Sequence, residues 1–312
     1  MFKIYYNNKY KMVKNMSKMS KIIESAIKHK PYKETTSDKE EAEKLMEERS
    51  VVEDETYEIP KMIYHSKVKS KQICGCQMIT FNENENTDKI IIYLHGGAYV
   101  NEIEKLHIIF CDKLAKKTNA SLYAPIYPLA PNHTFEETYV IVGKLYDMLL
   151  EYKKPITIMG DSAGGGLSVS FSEDLAVNNL TQPSNLILIS PWVDISMSGD
   201  YDDLFDVDPM LGVDGAREMG KAWAGSMDTK DYRLSPLYGD VKNLPKTTIF
   251  VGTHEIIYND VKNFYEKLKD NGVDVDLIVG DNMTHVYPLY PAVPESKEAF
   301  NKIVEILNLS SL

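Results

Sequence analysis

The chain has 312 residues, is 43% hydrophobic and 26% charged, and carries a formal net charge of −11 at neutral pH. This is the composition of a soluble globular protein long enough to bury a sizeable core without staples, and the negative charge excludes non-specific attraction to nucleic acid or to an anionic membrane. Its three cysteines, Cys74, Cys76 and Cys111, are too few and too odd a number for a secreted disulfide scaffold, and no stretch approaches the roughly 20 apolar residues of a membrane span.

The N-terminus is rich in lysine (Lys3, Lys9, Lys11, Lys14, Lys18, Lys21) and has no acid before Glu24. It lacks the apolar core of a signal peptide, so a cytoplasmic location is expected. Residues 1–58 read as mostly helical and amphipathic. Ser37 with Glu40 matches a capping box that would start a charged, solvated helix over residues 40–48. Residues 64–69 and 72–81 alternate like half-exposed strands. Cys74-Gly75-Cys76 resembles half of a metal site. With no second cysteine pair and no histidine pair at ligand spacing, the two cysteines are expected as strand residues on one side of a sheet.

From residue 89 strands and helices alternate. Strands are predicted at 89–94, 120–126, 156–159, 186–189, 247–251 and 274–279. Helices are predicted at 103–117, 135–152, 167–177, 260–271 and 296–307. Repeated βα units with fully apolar strands imply an α/β fold with a mostly parallel central sheet covered by helices on both faces. Between Pro191 and Leu244 no strand is visible. This segment holds Trp223, several tyrosines and many aspartates, and is too long for a connecting loop. It reads as an insertion with small helices of its own, covering the ligand crevice at the strand ends.

The most informative motif is Gly160-Asp161-Ser162-Ala163-Gly164, a G-x-S-x-G between an apolar strand and a run of small residues. A serine on such a turn is pushed out of the sheet and is a nucleophile candidate if a base exists elsewhere. His95-Gly96-Gly97-Ala98-Tyr99 follows a strand and precedes the serine in chain order. Its Gly96 and Gly97 N–H groups, with that of Ala163, are candidate oxyanion donors. Among the seven histidines, His29, His65, His107 and His133 read as structural. His285 lies after the last strand, where the order serine, acid, histidine places a base. The acid belongs after the preceding strand, which favours Glu255 over Asp260.

Together these residues resemble the hormone-sensitive-lipase-like family of α/β-hydrolases. The matching segments are HGGAY at 95–99, YPLAP at 127–131, GDSAGG at 160–165, SPWVD at 190–194, SPL at 235–237, GTHE at 252–255 and the loop ending in His285. The resemblance implies an α/β-hydrolase domain over 59–312. It implies a helical cap formed by residues 1–58 and an insertion at about 195–240. It also implies esterase chemistry with Ser162 as nucleophile, His285 as base and Glu255 as acid, around an oxyanion hole of Gly96, Gly97 and Ala163; the aspartate-rich insertion, with no long apolar face, favours short-to-medium acyl esters. Two positions depart from the family pattern: Ala98 stands where a third glycine is usual, and Glu255 where aspartate is commoner. A small-molecule ester is the implied partner, with no nucleic acid, metal or cofactor; the oligomeric state is open, a homodimer included. An amidase or deacylase with the same triad, and a non-catalytic small-molecule receptor on the same fold, are the alternative readings.

Overall fold

A computed structural model describes residues 16–51 and 56–309. The lysines before residue 16 and the start of the expected N-terminal helical segment lie outside the described residues. Eight strands form one sheet in the order β1-β2-β4-β3-β5-β6-β7-β8. The antiparallel members are β1 (Val68–Ile73) and β2 (Cys76–Phe81), with β2 also antiparallel to β4 (Ser121–Ile126). The parallel part joins β4 to β3 (Ile90–Leu94), β5 (Ile156–Asp161), β6 (Asn185–Ile189), β7 (Thr247–His254) and β8 (Val275–Thr284).

The period of two along a strand divides its side chains between two cores. In β3, Ile90, Ile92 and Leu94 face one core, and Ile91 and Tyr93 the other. The first core packs on α5 (Phe135–Leu150), α6 (Ser162–Val177) and α9 (Tyr258–Asp270) through residues such as Leu145, Leu167 and Phe264. The second packs on α4 (Lys105–Thr118) and α10 (Pro294–Leu309) through Ile108, Leu114 and Ile303. Each fully buried branched side chain contributes about 1.5–3 kcal/mol. Leu188 of β6 is fully buried, so Leu188→Ala is expected to lower unfolding stability by about 2–5 kcal/mol in denaturant titration.

Above the strand ends lies a helical layer of two sequence origins. One part is α1 (Lys18–Ile27), α2 (Tyr32–Ser37) and α3 (Lys39–Ser50); the other is the insertion, with α7 (Asp202–Phe205) and α8 (Asp214–Ala224). Polar contacts tie the two parts together. The Thr36 hydroxyl accepts from Gly212 N–H at 2.9 Å, and Lys33 donates to the carbonyls of Phe205 and Leu211 at 2.6 and 2.5 Å. These bonds hold sequence-distant segments as one layer.

Several local expectations differ from the fold. The N-cap of α3 is Asp38, whose carboxylate accepts from Glu40 N–H at 2.8 Å and Glu41 N–H at 3.1 Å. Ser37 instead closes α2; a charged oxygen at the helix start also gains from the dipole, which favours the aspartate. Cys74 and Gly75 form the hairpin turn between β1 and β2, with φ of 55° and 89°, and only Cys76 is a strand residue. The two cysteines therefore do not share a sheet face, and residues 72–81 are not one strand. The first predicted strand also starts late, at Val68 rather than 64. In contrast, β5 and β8 run further than the apolar run suggests, because backbone pairing with β6 and β7 continues through polar residues.

Candidate active site

Five parallel strands deliver the site from their C-terminal ends, the edge at which open α/β sheets gather ligands. β5 ends at Asp161 and α6 begins at Ser162, which sits in the left-handed region at φ 51°. That conformation is strained for a non-glycine residue and aims the side chain away from the sheet. It is sustained by close packing: a Cβ at Gly164 would collide with the carbonyl oxygens of Leu94 and His95. Glycine there lets α6 start directly against the end of β3.

The Ser162 hydroxyl lies 2.8 Å from His285 Nε2, and His285 Nδ1 lies 2.8 Å from Glu255 Oε2. His285 and Glu255 are buried and Ser162 is half-buried. The other Glu255 oxygen accepts from the Ser190 hydroxyl at 2.9 Å and from Gly252 N–H. Ser190, which follows β6 at φ 45°, in turn accepts from Val286 N–H at 3.1 Å. One hydroxyl thus locks the acid and the backbone next to the imidazole. Ser190→Ala is expected to lower the rate of the chemical step about tenfold or more, because a hydrogen bond to a charged group is worth about 1.5–3 kcal/mol. The check is kcat at saturating substrate with the fold verified by circular dichroism.

Burial alone would lower the affinity of His285 for a proton. The hydrogen bond and charge of Glu255, with the more distant carboxylates of Asp208 and Asp161, outweigh burial and hold its pKa above the ordinary imidazole value. A base must be neutral, so activity is lost as pH falls through this raised value. The acidic limb of kcat/KM is therefore expected above pH of about 6.5, and Glu255→Gln is expected to move it downward. A limb that stays in place in Glu255→Gln contradicts this coupling.

Asp260, the other candidate acid, does not meet the imidazole. Its carboxylate accepts from Tyr201 at 2.8 Å, and burial raises its pKa to about 6. The remaining histidines are engaged elsewhere or exposed. His65 meets Asp112 at 2.9 Å, His133 meets Glu137 at 2.8 Å, and His254 meets Asn282 at 3.1 Å, while His29 is exposed. His95 is fully buried, and burial pushes its pKa down to about 4, so it stays neutral. His107 has its tautomer set by the backbone. Glu104 N–H donates to Nδ1 at 2.9 Å, so Nε2 carries the proton and donates to Asp161 at 3.2 Å.

Asp161 is the hub of a second network. Besides His107 it accepts from the Tyr93 hydroxyl at 2.6 Å and from Gly96 N–H at 3.1 Å. The Gly96 N–H, one of the expected oxyanion donors, is thus engaged with a carboxylate. Gly97 and Ala98 follow at φ 124° and 55°, and neither N–H has a hydrogen-bond partner among the described residues. Ala163 lies in the first turn of α6, whose N–H groups have no intrahelical acceptor. The free donors beside Ser162 are thus those of Gly97, Ala98 and Ala163. The loop is held by Tyr99, which donates to the Ala163 carbonyl at 2.7 Å and stacks on Trp223 of α8 at 4.4 Å between ring centroids.

Two residues important to this geometry carried no signal of their own in sequence. Ser190 belongs to the SPWVD segment but looks like any strand-end serine. Asp208 is one of many insertion aspartates, yet it is buried and accepts three backbone N–H groups: Met210 at 2.7 Å, Leu211 at 2.9 Å and Ile256 at 2.7 Å. It fastens the insertion to the residue after Glu255. Its Asp-Pro-Met sequence hints at a turn but not at this partner.

A cavity of about 320 Å³ opens onto Ser162 and His285. Its walls include Ile23 and Ile27 of α1, Leu106, Leu289 and Tyr290, with exposed Lys30, Glu102 and Glu104 also bordering it. A second, much smaller cavity of about 30 Å³ touches Ser162 beside Trp192 and Ile257.

The sequence of residues 91–289 matches the family described as the alpha/beta hydrolase fold. An esterase of Acinetobacter venetianus is 28% identical over 247 residues, covering 77% of this chain and 81% of that protein. An acetyl-hydrolase of Streptomyces hygroscopicus is 28% identical over 216 residues, covering 68% of this chain and 72% of that one. Among solved structures, an esterase/lipase from an uncultured bacterium superposes with a TM-score of 0.80 at 26% identity, covering 95% of this chain and 99% of that chain. A hormone-sensitive lipase from a metagenome library superposes with a TM-score of 0.75 at 25% identity, covering 88% and 98%. With its eight-stranded, mostly parallel sheet and its serine elbow, the chain belongs to the α/β-hydrolase family, in the hormone-sensitive-lipase-like branch.

Proposed function

We propose that this protein is a carboxylic-ester hydrolase working through an acyl-enzyme, with Ser162 as nucleophile, His285 as general base and acid, and Glu255 as orienting acid. The observation that carries the reading is the unbroken hydrogen-bonded line from the Ser162 hydroxyl through both imidazole nitrogens to a buried carboxylate. Ser162 attacks the ester carbonyl while His285 takes its proton. The N–H groups of Gly97, Ala98 and Ala163 hold the oxyanion, and His285 then protonates the leaving alcohol. Water repeats the sequence through the same base and frees the acid.

The name of one relative, esterase, supports ester rather than amide chemistry; acetyl-hydrolase names the acyl group but not the bond cleaved. The helical layer, residues 16–50 together with the insertion from about 195 to 240, acts as the cap that bounds the pocket. Both parts of the layer line a bounded pocket in which Ser162 is half-buried, which suits dissolved substrate. Among the described residues no helix is long and apolar enough to cross a membrane.

The test compares p-nitrophenyl acetate with p-nitroacetanilide, which share an acyl group and a ring, and then adds emulsified triolein. Rapid ester turnover, with amide turnover lower by at least a hundredfold and no rate jump at the solubility limit of the ester, is expected. Amide hydrolysis as fast as ester hydrolysis overturns the reading in favour of a deacylase. Strong activation by the emulsion overturns the soluble-ester assignment. Failure to turn over any acyl substrate, with Ser162 inert to an organophosphorus probe, leaves the receptor reading in its place.

A further inference from the structure

The two cavities that meet at Ser162 differ about tenfold in size, roughly 320 Å³ against 30 Å³. They share Thr36, Ala98, Ser162 and Leu211, so both reach the nucleophile and one of the free backbone donors. Only the large one is bordered by His285, continuing along Val286, Leu289 and Tyr290. The small one runs to the opposite group of residues, Trp192, Met197, Ala216, Ile256 and Ile257.

The chemistry distinguishes the two sides. In the tetrahedral intermediate the former carbonyl carbon carries four groups: Ser162 Oγ, the oxyanion, the alcohol oxygen and the acyl chain. The new Oγ–C bond has formed, and the proton from Oγ rests on His285 Nε2. Collapse breaks the bond to the alcohol oxygen, which leaves with its electron pair and takes that proton. The alcohol oxygen must therefore lie within hydrogen-bond reach of the imidazole. Its substituent extends into the cavity that His285 borders. The oxyanion is held by the backbone donors, which leaves the small cavity for the acyl chain.

Resting on the esterase reading, we infer that the substrate is an acetyl or propionyl ester of a bulky, largely apolar alcohol. About 10–15 Å³ is the room needed for one water-sized group, so the small cavity takes on the order of two heavy atoms beyond the carbonyl. Its walls are buried and apolar: Trp192, Met197 and Ile257 are each nearly fully enclosed. A longer chain has to displace core side chains, which is costly in a close-packed interior. The large cavity has space for a ring or a branched skeleton against Ile23, Ile27, Leu106 and Leu289. Exposed Lys30, Glu102 and Glu104 also border it, so a polar group on the far end of the alcohol is tolerated.

Two crossed substrate series on the wild-type protein test the partition. With p-nitrophenol as the common alcohol, kcat/KM is expected to peak at acetyl or propionyl and to fall at least tenfold by hexanoyl. With acetate as the common acid, kcat/KM is expected to rise at least tenfold from methyl to 2-cyclohexylethyl acetate, alcohols of similar leaving ability. Ile257→Ala then enlarges the small cavity. It is expected to raise the hexanoyl-to-acetyl ratio at least fivefold while leaving the methyl-to-cyclohexylethyl ratio unchanged; a ratio cancels any general loss of activity. Hydrolysis that peaks at hexanoyl or longer, or that ignores the size of the alcohol, overturns the partition while the esterase reading stands. Absence of turnover on every ester overturns both.

Discussion

Replacing Ser162 with alanine is expected to abolish esterase turnover while leaving the fold in place. The change removes one oxygen from a half-buried position and touches no core side chain, so circular dichroism and the unfolding midpoint should stay close to wild type. Loss of the nucleophile removes the covalent route altogether, and kcat is expected to fall on the order of 10⁵-fold. What remains is what the backbone donors and the pocket achieve with water. Because the three side chains act as one unit, adding His285→Ala to Ser162→Ala should cost little more than either change alone. Steady-state kinetics on the two single variants and the double variant check this. Near-additive losses would mean that Ser162 and His285 work independently, and the hydrogen bond of 2.8 Å between them would not be catalytic.

The second large effect is expected at Glu255. Its two oxygens are divided between His285 on one side and Ser190 with Gly252 N–H on the other. Glu255→Gln keeps the shape but removes the charge that stabilises the imidazolium and the acceptor that fixes its tautomer. A fall in kcat on the order of 10³–10⁴-fold is expected, with KM changed far less. Glu255→Ala should add a stability loss of about 1–3 kcal/mol, since it strands the buried Ser190 hydroxyl and Gly252 N–H. Asp260→Asn, by contrast, alters a contact with Tyr201 and should leave kcat within a few-fold of wild type. Measuring kcat for the two isosteric variants under one set of conditions decides between them. The reverse ranking would move the orienting role to Asp260.

Much of this architecture is legible in the sequence because the physics behind it is local. Runs such as Ile90-Ile91-Ile92 and Leu186-Ile187-Leu188 can be satisfied only by strands covered on both faces. The elbow announces itself because a sharp turn against β3 tolerates only small neighbours of Ser162. The chain order of strand ends then points to Glu255 and His285, and the hydrogen bonds join those three residues. What could not be read depends on partners far away in sequence. Ser190 acquires its part from Glu255 and Val286, just beyond β7 and β8, 65 and 96 residues further along the chain. Asp208 looks like surface charge until Ile256 N–H is folded against it. The choice among Gly96, Gly97 and Ala98 depends on where each N–H points. Three successive positive φ angles, 124°, 55° and 62° at Gly97, Ala98 and Tyr99, set that direction, and residue types alone do not reveal it. The hairpin at Cys74-Gly75 was hidden for a related reason, since alternation continues across a two-residue turn and mimics a single strand.

The proposed mechanism stands on Ser162, activated by His285, as the nucleophile. Intact-mass analysis and peptide mapping after reaction with a fluorophosphonate test it most directly. One adduct per chain, located on Ser162, growing in step with the loss of esterase activity and absent from His285→Ala on the same timescale, is the result expected. An adduct at another serine that tracks the loss of activity, or full loss of activity with Ser162 unmodified, would move the nucleophile away from Ser162.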